Sequence, residues 1–319
     1  MSRRKLCQTK VFVKVATLAT GQSSSLLLGG LLFRIQAEHA CFPVCPDTRY
    51  QEFFSAAHSG TEETITVRII ENDFAVSMAG WNRLFDTEET WQMWGRGALR
   101  RLIYQPDPSG PCFTKMQFDP SGSVVDCWVG QPWRVDGSLS GRIYHPVLYP
   151  VDVAMVMYLL ASRGGLVVHG CGAVRDGKAV LFPGVSGSGK STLARLLVAD
   201  GWRVLSDDRV IVHEQPDGSF RYHGTPWLGE ADLAEATDAA GIGVCFLRKG
   251  NAHAIYPVTA SQAFLRLLPV VSVPWYDPVM MDPILATCGR FTQKVRCGEL
   301  TFKRDAGLTP VLMDWLKQR

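Results

Sequence analysis

The stretch Ala179-Val180-Leu181-Phe182-Pro183-Gly184-Val185-Ser186-Gly187-Ser188-Gly189-Lys190-Ser191-Thr192 decides how the rest of the chain is read. From Gly184 to Ser191 it satisfies GxxxxGK[ST] in full. The letters can arise by chance in a glycine-rich coil, but here they stand in the setting their physics requires. The apolar run Ala179–Phe182 reads as a strand. Ser191–Ala199, with Leu193, Leu196 and Leu197 on one face, reads as an amphipathic helix stopped by Gly201. Gly184, Gly187 and Gly189 free the backbone to turn successive N–H groups inward as an anion nest. The helix adds unpaired N-terminal amides and the positive end of its dipole. Lys190 supplies a point charge for β- and γ-phosphates, and the Ser191 hydroxyl can ligate Mg²⁺. Gly184 through Thr192 are therefore expected to bind a nucleoside triphosphate, with ATP and Mg²⁺ as the ligands.

Outward from the loop, Arg203–Leu205 reads as the next strand, followed by Ser206-Asp207-Asp208. Asp207 lies 17 residues after Lys190 (207 − 190). In a parallel sheet the end of that strand falls beside the phosphate loop, at the carboxyl edge where ligands bind. One carboxylate there can hold magnesium, and the other can accept a proton from an attacking hydroxyl. A solvated turn carrying two acids is the bland alternative, and the distance from the loop favours chemistry over it. His169 ends the short apolar strand Leu166–His169 near the same edge. A lone histidine is more often a satisfied core or surface residue, so its partnership with Asp207 is an expectation from order alone.

Around Tyr149-Pro150 the pattern of the chain changes. Pro150 suits a helix start, and Val151–Ser162 carries an apolar helical stretch that ends at Gly164-Gly165. Asp176-Gly177 is a tight-turn signal, and Val210–Val212 and Phe220–Tyr222 flank Pro216-Asp217-Gly218 as a hairpin. Residues 1–147 read instead as a β-rich N-terminal domain without assignable chemistry. Strands are expected over Thr64–Ile70, Thr114–Phe118 and Val124–Val129, the last two joined by Asp119-Pro120-Ser121-Gly122. Trp81, Trp91, Trp94, Trp128 and Trp133 recur there, and core packing is a better account of them than a recognition surface. Residues 148–319 form the second unit. Its final part, Ala231–Arg319, has a proline-rich middle at Pro269–Pro283 and no motif; Arg248 and Lys249 read as solvated.

Composition narrows the function classes. A chain of 319 residues holds two domains, or one large one with an appendage. The formal charge of +3, from 33 basic and 30 acidic residues, is too small to argue for nucleic acid or an anionic membrane. Nine cysteines, none in a CxxC pair and odd in number, read as reduced thiols in a cytoplasmic protein. A zinc site through Cys41 and Cys45 would need two more ligands that the sequence does not place. Ser2-Arg3-Arg4-Lys5 is basic, but Lys10, Lys14, Thr17 and Gln22 break any apolar stretch after it. The apolar run Leu26–Phe33 is far shorter than the roughly 20 residues of a membrane span.

His169-Gly170, an apolar strand, Gly184–Thr192 and Ser206-Asp207-Asp208, in that order, resemble the catalytic domain of HPr kinase/phosphorylase and its relatives. The resemblance covers roughly residues 148–230. It implies an α/β P-loop kinase domain of the type shared with phosphoenolpyruvate carboxykinase, preceded by the β-rich domain. Carried over residue by residue, Lys190 binds phosphates and Ser191 the metal. Asp207 is the base that takes the serine proton, His169 interacts with Asp207, and Asp208 supports metal or phosphate. Thr225-Pro226-Trp227-Leu228-Gly229-Glu230 is similar to a segment of the broader group, which makes Glu230 a third acid for the metal. Thr192 stands where HPr kinases usually carry glutamate, and the chain has no PGRN-type signature downstream. The resemblance is thus to the broader group, which includes kinases that modify serine in peptide precursors.

The implied activity is ATP-dependent transfer of the γ-phosphoryl group to a hydroxyl, serine of a protein or peptide. Self-association into a homo-oligomer is implied as well. Two other readings stay open on the residues alone. One is a small-molecule kinase. The other is a nucleotide-sensing module that transfers nothing.

Overall fold

The strand that best shows how this sequence makes sheet is Glu63–Glu71, ETITVRIIE. Ile65, Val67 and Ile69 are buried on one face, while Thr64, Thr66 and Arg68 alternate on the other. The structure is a computed structural model and describes residues 23–37, 44–45, 48–55, 60, 62–71, 77–105, 114–129, 143–144, 147, 149–305 and 307–317. Among these, the first half comprises β1 (Ser23–Leu28), β2 (Leu31–Ala37), β3 (Val44–Cys45), α1 (Gln51–Ser55), β4 (Glu63–Glu71) and β5 (Asn82–Asp86). It continues with β6 (Trp91–Arg96), β7 (Leu99–Tyr104), β8 (Thr114–Phe118), β9 (Val124–Val129) and β10 (Ile143–Tyr144), which pairs with β3.

Eight of these strands form one sheet in the order β1-β2-β4-β9-β8-β7-β6-β5. β4 lies between β2 and β9 and is parallel to both; the other pairings are antiparallel. β8 and β9 have the bounds the sequence suggests, and their turn closes with Gly122 N donating to Asp119 O at 2.9 Å. Trp81 is buried, with the Arg101 guanidinium 4.0 Å from its ring centre. Trp133, Cys41 and the Cys45 side chain lie outside the described residues.

The second half begins with α2 (Val151–Ala161), β11 (Gly165–Arg175), β12 (Lys178–Pro183), α3 (Lys190–Ala199), β13 (Arg203–Ser206), β14 (Arg209–Glu214) and β15 (Phe220–His223). It ends with β16 (Asp238–Lys249), β17 (Ala254–Pro257), α4 (Ala260–Leu267), α5 (Pro278–Lys294), β18 (Arg296–Phe302) and α6 (Leu308–Lys317). The chain is thus a mixed α/β protein. Its second sheet runs β12-β11-β14-β15-β16-β18-β17, and β12 also pairs with β16, closing the first five strands into a ring.

The expected parallel sheet forms only in part: β12 pairs in parallel with β16, but β11, not β12, is the neighbour of β13. β11 is antiparallel to β12, β13 and β14. Because Asp176-Gly177 makes a tight turn, β12 folds straight back on β11 instead of crossing over through a helix. β12 and β13, both antiparallel to β11, run in the same direction. Their carboxyl ends therefore reach the same end of the sheet, with Pro183 opposite Gly170 and Ser206 opposite Gly172.

One core serves both sheets: Leu26, Ile65 and Met93 belong to the same buried cluster as Met155 and Leu159 of α2, Val167 and Val212. A smaller cluster lies under α3, where Leu193 and Leu197 meet Phe182 and, from α6, Leu308, Leu312 and Trp315. Polar ties join the halves as well. Arg100 reaches Asp277 with two hydrogen bonds, at 2.5 and 3.0 Å, where both side chains are buried. Cys127, Cys171, Cys245 and Cys288 are buried free thiols. No helix among the described residues is long and apolar enough to cross a membrane.

Candidate active site

β12 delivers the phosphate loop, and β11 holds its start: Gly184 N donates to His169 O at 3.1 Å. Gly187 and Gly189 adopt φ of 77° and 103°, in the left-handed region that favours glycine, and Gly189 caps α3. Gly184 has a different reason to lack a side chain, since a Cβ there would lie 2.5 Å from Ser188 Oγ. That buried hydroxyl has no partner among the described residues.

The Lys190 side chain folds back along the loop. Its ammonium donates to Gly184 O at 2.8 Å, to Val185 O at 3.0 Å, and to His169 Nε2 at 2.9 Å. An ammonium has donors only, so the charged lysine requires Nε2 to be the acceptor and assigns the imidazole proton to Nδ1. Nδ1 lies 3.4 Å from Asp208 Oδ1. Burial, and then the Lys190 charge, push the His169 pKa down, consistent with a neutral ring. Burial also lowers Lys190, against the pull of Asp208.

The two aspartates have separate environments. Asp207 is almost wholly buried; its carboxylate accepts from Gly229 N at 2.9 Å, Ala231 N at 2.6 Å and Leu233 N at 3.4 Å. Asp208 is partly open, touches His169, and is hydrogen bonded to Arg209. The expectation that His169 interacts with Asp207 is therefore corrected: its carboxylate partner is Asp208. The expected base, Asp207, has its oxygens engaged by loop amides, which leaves Asp208 as the more accessible carboxylate of the pair. Ser206 ties the turn together, with Oγ donating to Trp227 O at 3.0 Å and accepting from the amides of Asp208 and Arg209, each at 3.2 Å.

A cleft of about 510 Å³ gathers these groups. Ser186, Gly187, Gly189, Lys190, Ser191 and Thr192 line it from the loop and α3. His169, Asp207, Asp208, Gly229, Glu230 and Arg304 line it from the strands and the segments after them. Gly184, Val185 and Ser188 shape the loop without lining the cleft. Arg304 has no local signature and was not anticipated; it comes after β18, whose Phe302 ring would sit 3.5 Å from a Cβ on Gly189. Arg209 was also missed, although it directly succeeds the acid pair. Arg248 and Lys249 are exposed, as expected, and Arg248 also pairs with Glu299 at 3.1 Å.

Residues 147–283 match the family model described as SynChlorMet cassette protein ScmC. The matched span contains every group of the cleft except Arg304. No curated protein matches the chain. Among solved structures, the Hpr(Ser) kinase/phosphatase from Coxiella burnetii is similar at 11% identity over 47% of this chain and 91% of that one, with a TM-score of 0.24. A likeness at that score decides nothing about fold or activity.

Chemically, the cleft combines what a magnesium-bound triphosphate needs. Loop amides, the start of a helix and Lys190 are groups of the kind that bind phosphate oxygens. Ser191, Asp208 and Glu230 offer hard oxygen donors, the kind Mg²⁺ takes. Among the described residues no three His, Cys, Asp or Glu side chains cluster closely enough to hold a metal unaided. Mg²⁺ commonly binds through one or two protein oxygens together with substrate phosphates, so this donor set fits it.

Proposed function

We propose that the chain is an ATP-dependent kinase of the HPr-kinase-like group, passing the γ-phosphoryl group to a hydroxyl, serine of a protein or peptide. The observation that carries this reading is the cleft itself: a phosphate loop with Lys190 and Ser191 opens onto the same space as a partly exposed carboxylate, Asp208, held beside His169.

Loop amides and Lys190 orient the triphosphate, the lysine exchanging Gly184 O and Val185 O for phosphate oxygens. Ser191 and Glu230 are the side chains that would hold Mg²⁺, which when bound neutralises phosphate charge. The acceptor oxygen attacks the γ-phosphorus, the bond from that phosphorus to the bridging oxygen of ADP breaks, and ADP leaves. The acceptor proton passes to Asp208, whose Oδ1 lies 3.4 Å from His169 Nδ1. Asp207 takes a structural part, fixing Gly229–Leu233 at the rim. Positioning and charge stabilisation supply most of the acceleration in such transfers.

Asp208→Asn tests the assignment. A general base contributes about 10²–10⁴-fold, so turnover should fall on that scale while Mg-ATP affinity holds, measured by ADP production and by calorimetry. Weakened Mg-ATP binding with normal turnover would return Asp208 to the metal. Full activity in Asp208→Asn alongside an inactive, stably folded Asp207→Asn would restore Asp207 as the base.

A further inference from the structure

Asp152, in the first turn of α2, takes no part in the chemistry above, yet it is completely buried. Its Oδ2 accepts from Tyr50 Oη at 2.6 Å and from Trp227 Nε1 at 2.7 Å; its Oδ1 accepts from Val153 N at 2.7 Å. These three donors offset part of the large cost of burying a carboxyl group. Burial pushes the Asp152 pKa up, and the hydrogen bonds pull it back.

Each side-chain partner leads to a different part of the molecule. Tyr50 belongs to the first half of the chain, is fully buried, and its Oη also accepts from Tyr149 N at 3.0 Å. Trp227 opens the segment that reaches the cleft. Two residues on, Gly229 N donates to Asp207, and Ala231 N does the same at 2.6 Å. Glu230, between them, lines the cleft. Other ties of this segment run to the β13–β14 turn, Trp227 O to Ser206 Oγ and Leu233 O to Asp207 N at 3.1 Å, and to α3, where Arg195 donates to Glu230 O at 2.9 Å. The indole bond to Asp152 anchors the segment to α2 and, through Tyr50, to the first half.

We propose that Asp152, held by Tyr50, is a positioning residue for the active site: it fixes Trp227 so that Gly229 and Ala231 reach Asp207 and Glu230 faces the cleft. The first half of the chain thereby supports the site directly. The placement of the segment stands by itself; its consequence for nucleotide rests on the function proposed above.

Hydrogen exchange on the full-length protein tests the placement. Trp227→Phe removes the indole hydrogen bond to Asp152, and Tyr50→Phe removes the hydroxyl's bonds to Asp152 and Tyr149 N; each keeps an aromatic ring, so they are informative even if Asp152→Asn fails to fold. The expected result is exchange about tenfold faster in peptides spanning residues 227–233, the worth of one such bond, with β11 and α3 unchanged. Unchanged exchange in 227–233, or a uniform rise across the core, overturns the proposal. A second arm measures nucleotide. Mg-ATP should bind roughly 3–10-fold more weakly to Tyr50→Phe, while metal-free ADP, which needs only the phosphate loop, binds as before. Equal weakening of both ligands overturns the positioning role. A wild-type protein that binds neither refutes the kinase reading, and the exchange arm then decides the placement alone.

Discussion

Gly229 shows how tightly single residues are specified at this site. A Cβ there would lie 2.7 Å from Asp207 Oδ2 and 3.0 Å from Asp207 O, both inside contact distance. Gly229→Ala must therefore push the segment away from the carboxylate and weaken its amide bonds. Overpacking of this kind costs about 1–3 kcal/mol, and urea unfolding should register it together with a drop in phosphoryl transfer. Unaltered stability and activity would mean that Asp207 does not pin the segment. The conformation of Gly184–Thr192 was legible in the sequence because each residue works locally: Gly187 and Gly189 bend their own backbone, and Lys190 begins the next helix. The environment of Asp207 was not legible. Its amide partners lie 22 to 26 residues downstream, and nothing local to Asp207-Asp208 says which acid faces the cleft.

At the scale of elements, period and punctuation gave most of what formed. Strand-like composition placed β4, the turn Asp119–Gly122 separated β8 from β9, and Pro216-Asp217-Gly218 closed the β14–β15 hairpin, where Gln215 N donates to Ser219 O at 2.7 Å. Helix α2 ends one residue short of the expected Ser162, and α3 starts one residue early, at Lys190. Pairing was harder to read. An apolar period fixes which face of a strand is buried but not which strand becomes its neighbour. Hence the insertion of β4 between β2 and β9, and the β12–β16 contact that closes the ring, left no trace in the sequence pattern. The expected parallel sheet formed only between β12, β16 and β18, because the tight Asp176-Gly177 turn folds β12 back on β11 rather than crossing over. β13 still carries the acids to the loop because both flanking strands oppose β11.

Across the whole molecule, the two halves meet through groups that set how stability depends on pH. His223, on β15, is buried and its Nε2 has no partner among the described residues. Burial, with His213 and Arg221 opposing Asp238, pushes its pKa from the ordinary 6.5 down to about 4. Between those values the unfolded chain takes up a proton that the folded chain refuses. Stability from this group is therefore intact above pH 6.5, falls as pH falls through the window, and is gone below about 4. The full shift is worth at most about 3 kcal/mol. Urea unfolding at pH 7 and pH 4.5 should show a smaller acid loss in His223→Phe than in wild type; equal losses would contradict the assignment. His213 Nδ1, close by, lies 2.8 Å from Gly29 O in the β1–β2 turn.

The most direct measurement is a calorimetric titration of ATP with magnesium into wild type and Lys190→Ala, because every step of the proposed transfer begins with triphosphate in the Gly184–Thr192 cleft. Loss of a charged hydrogen-bonding partner costs about 1.5–3 kcal/mol, so saturable binding by wild type should weaken by roughly 10- to 100-fold in the variant. Equal affinity in the two proteins, or no binding by a folded wild type, would contradict the account.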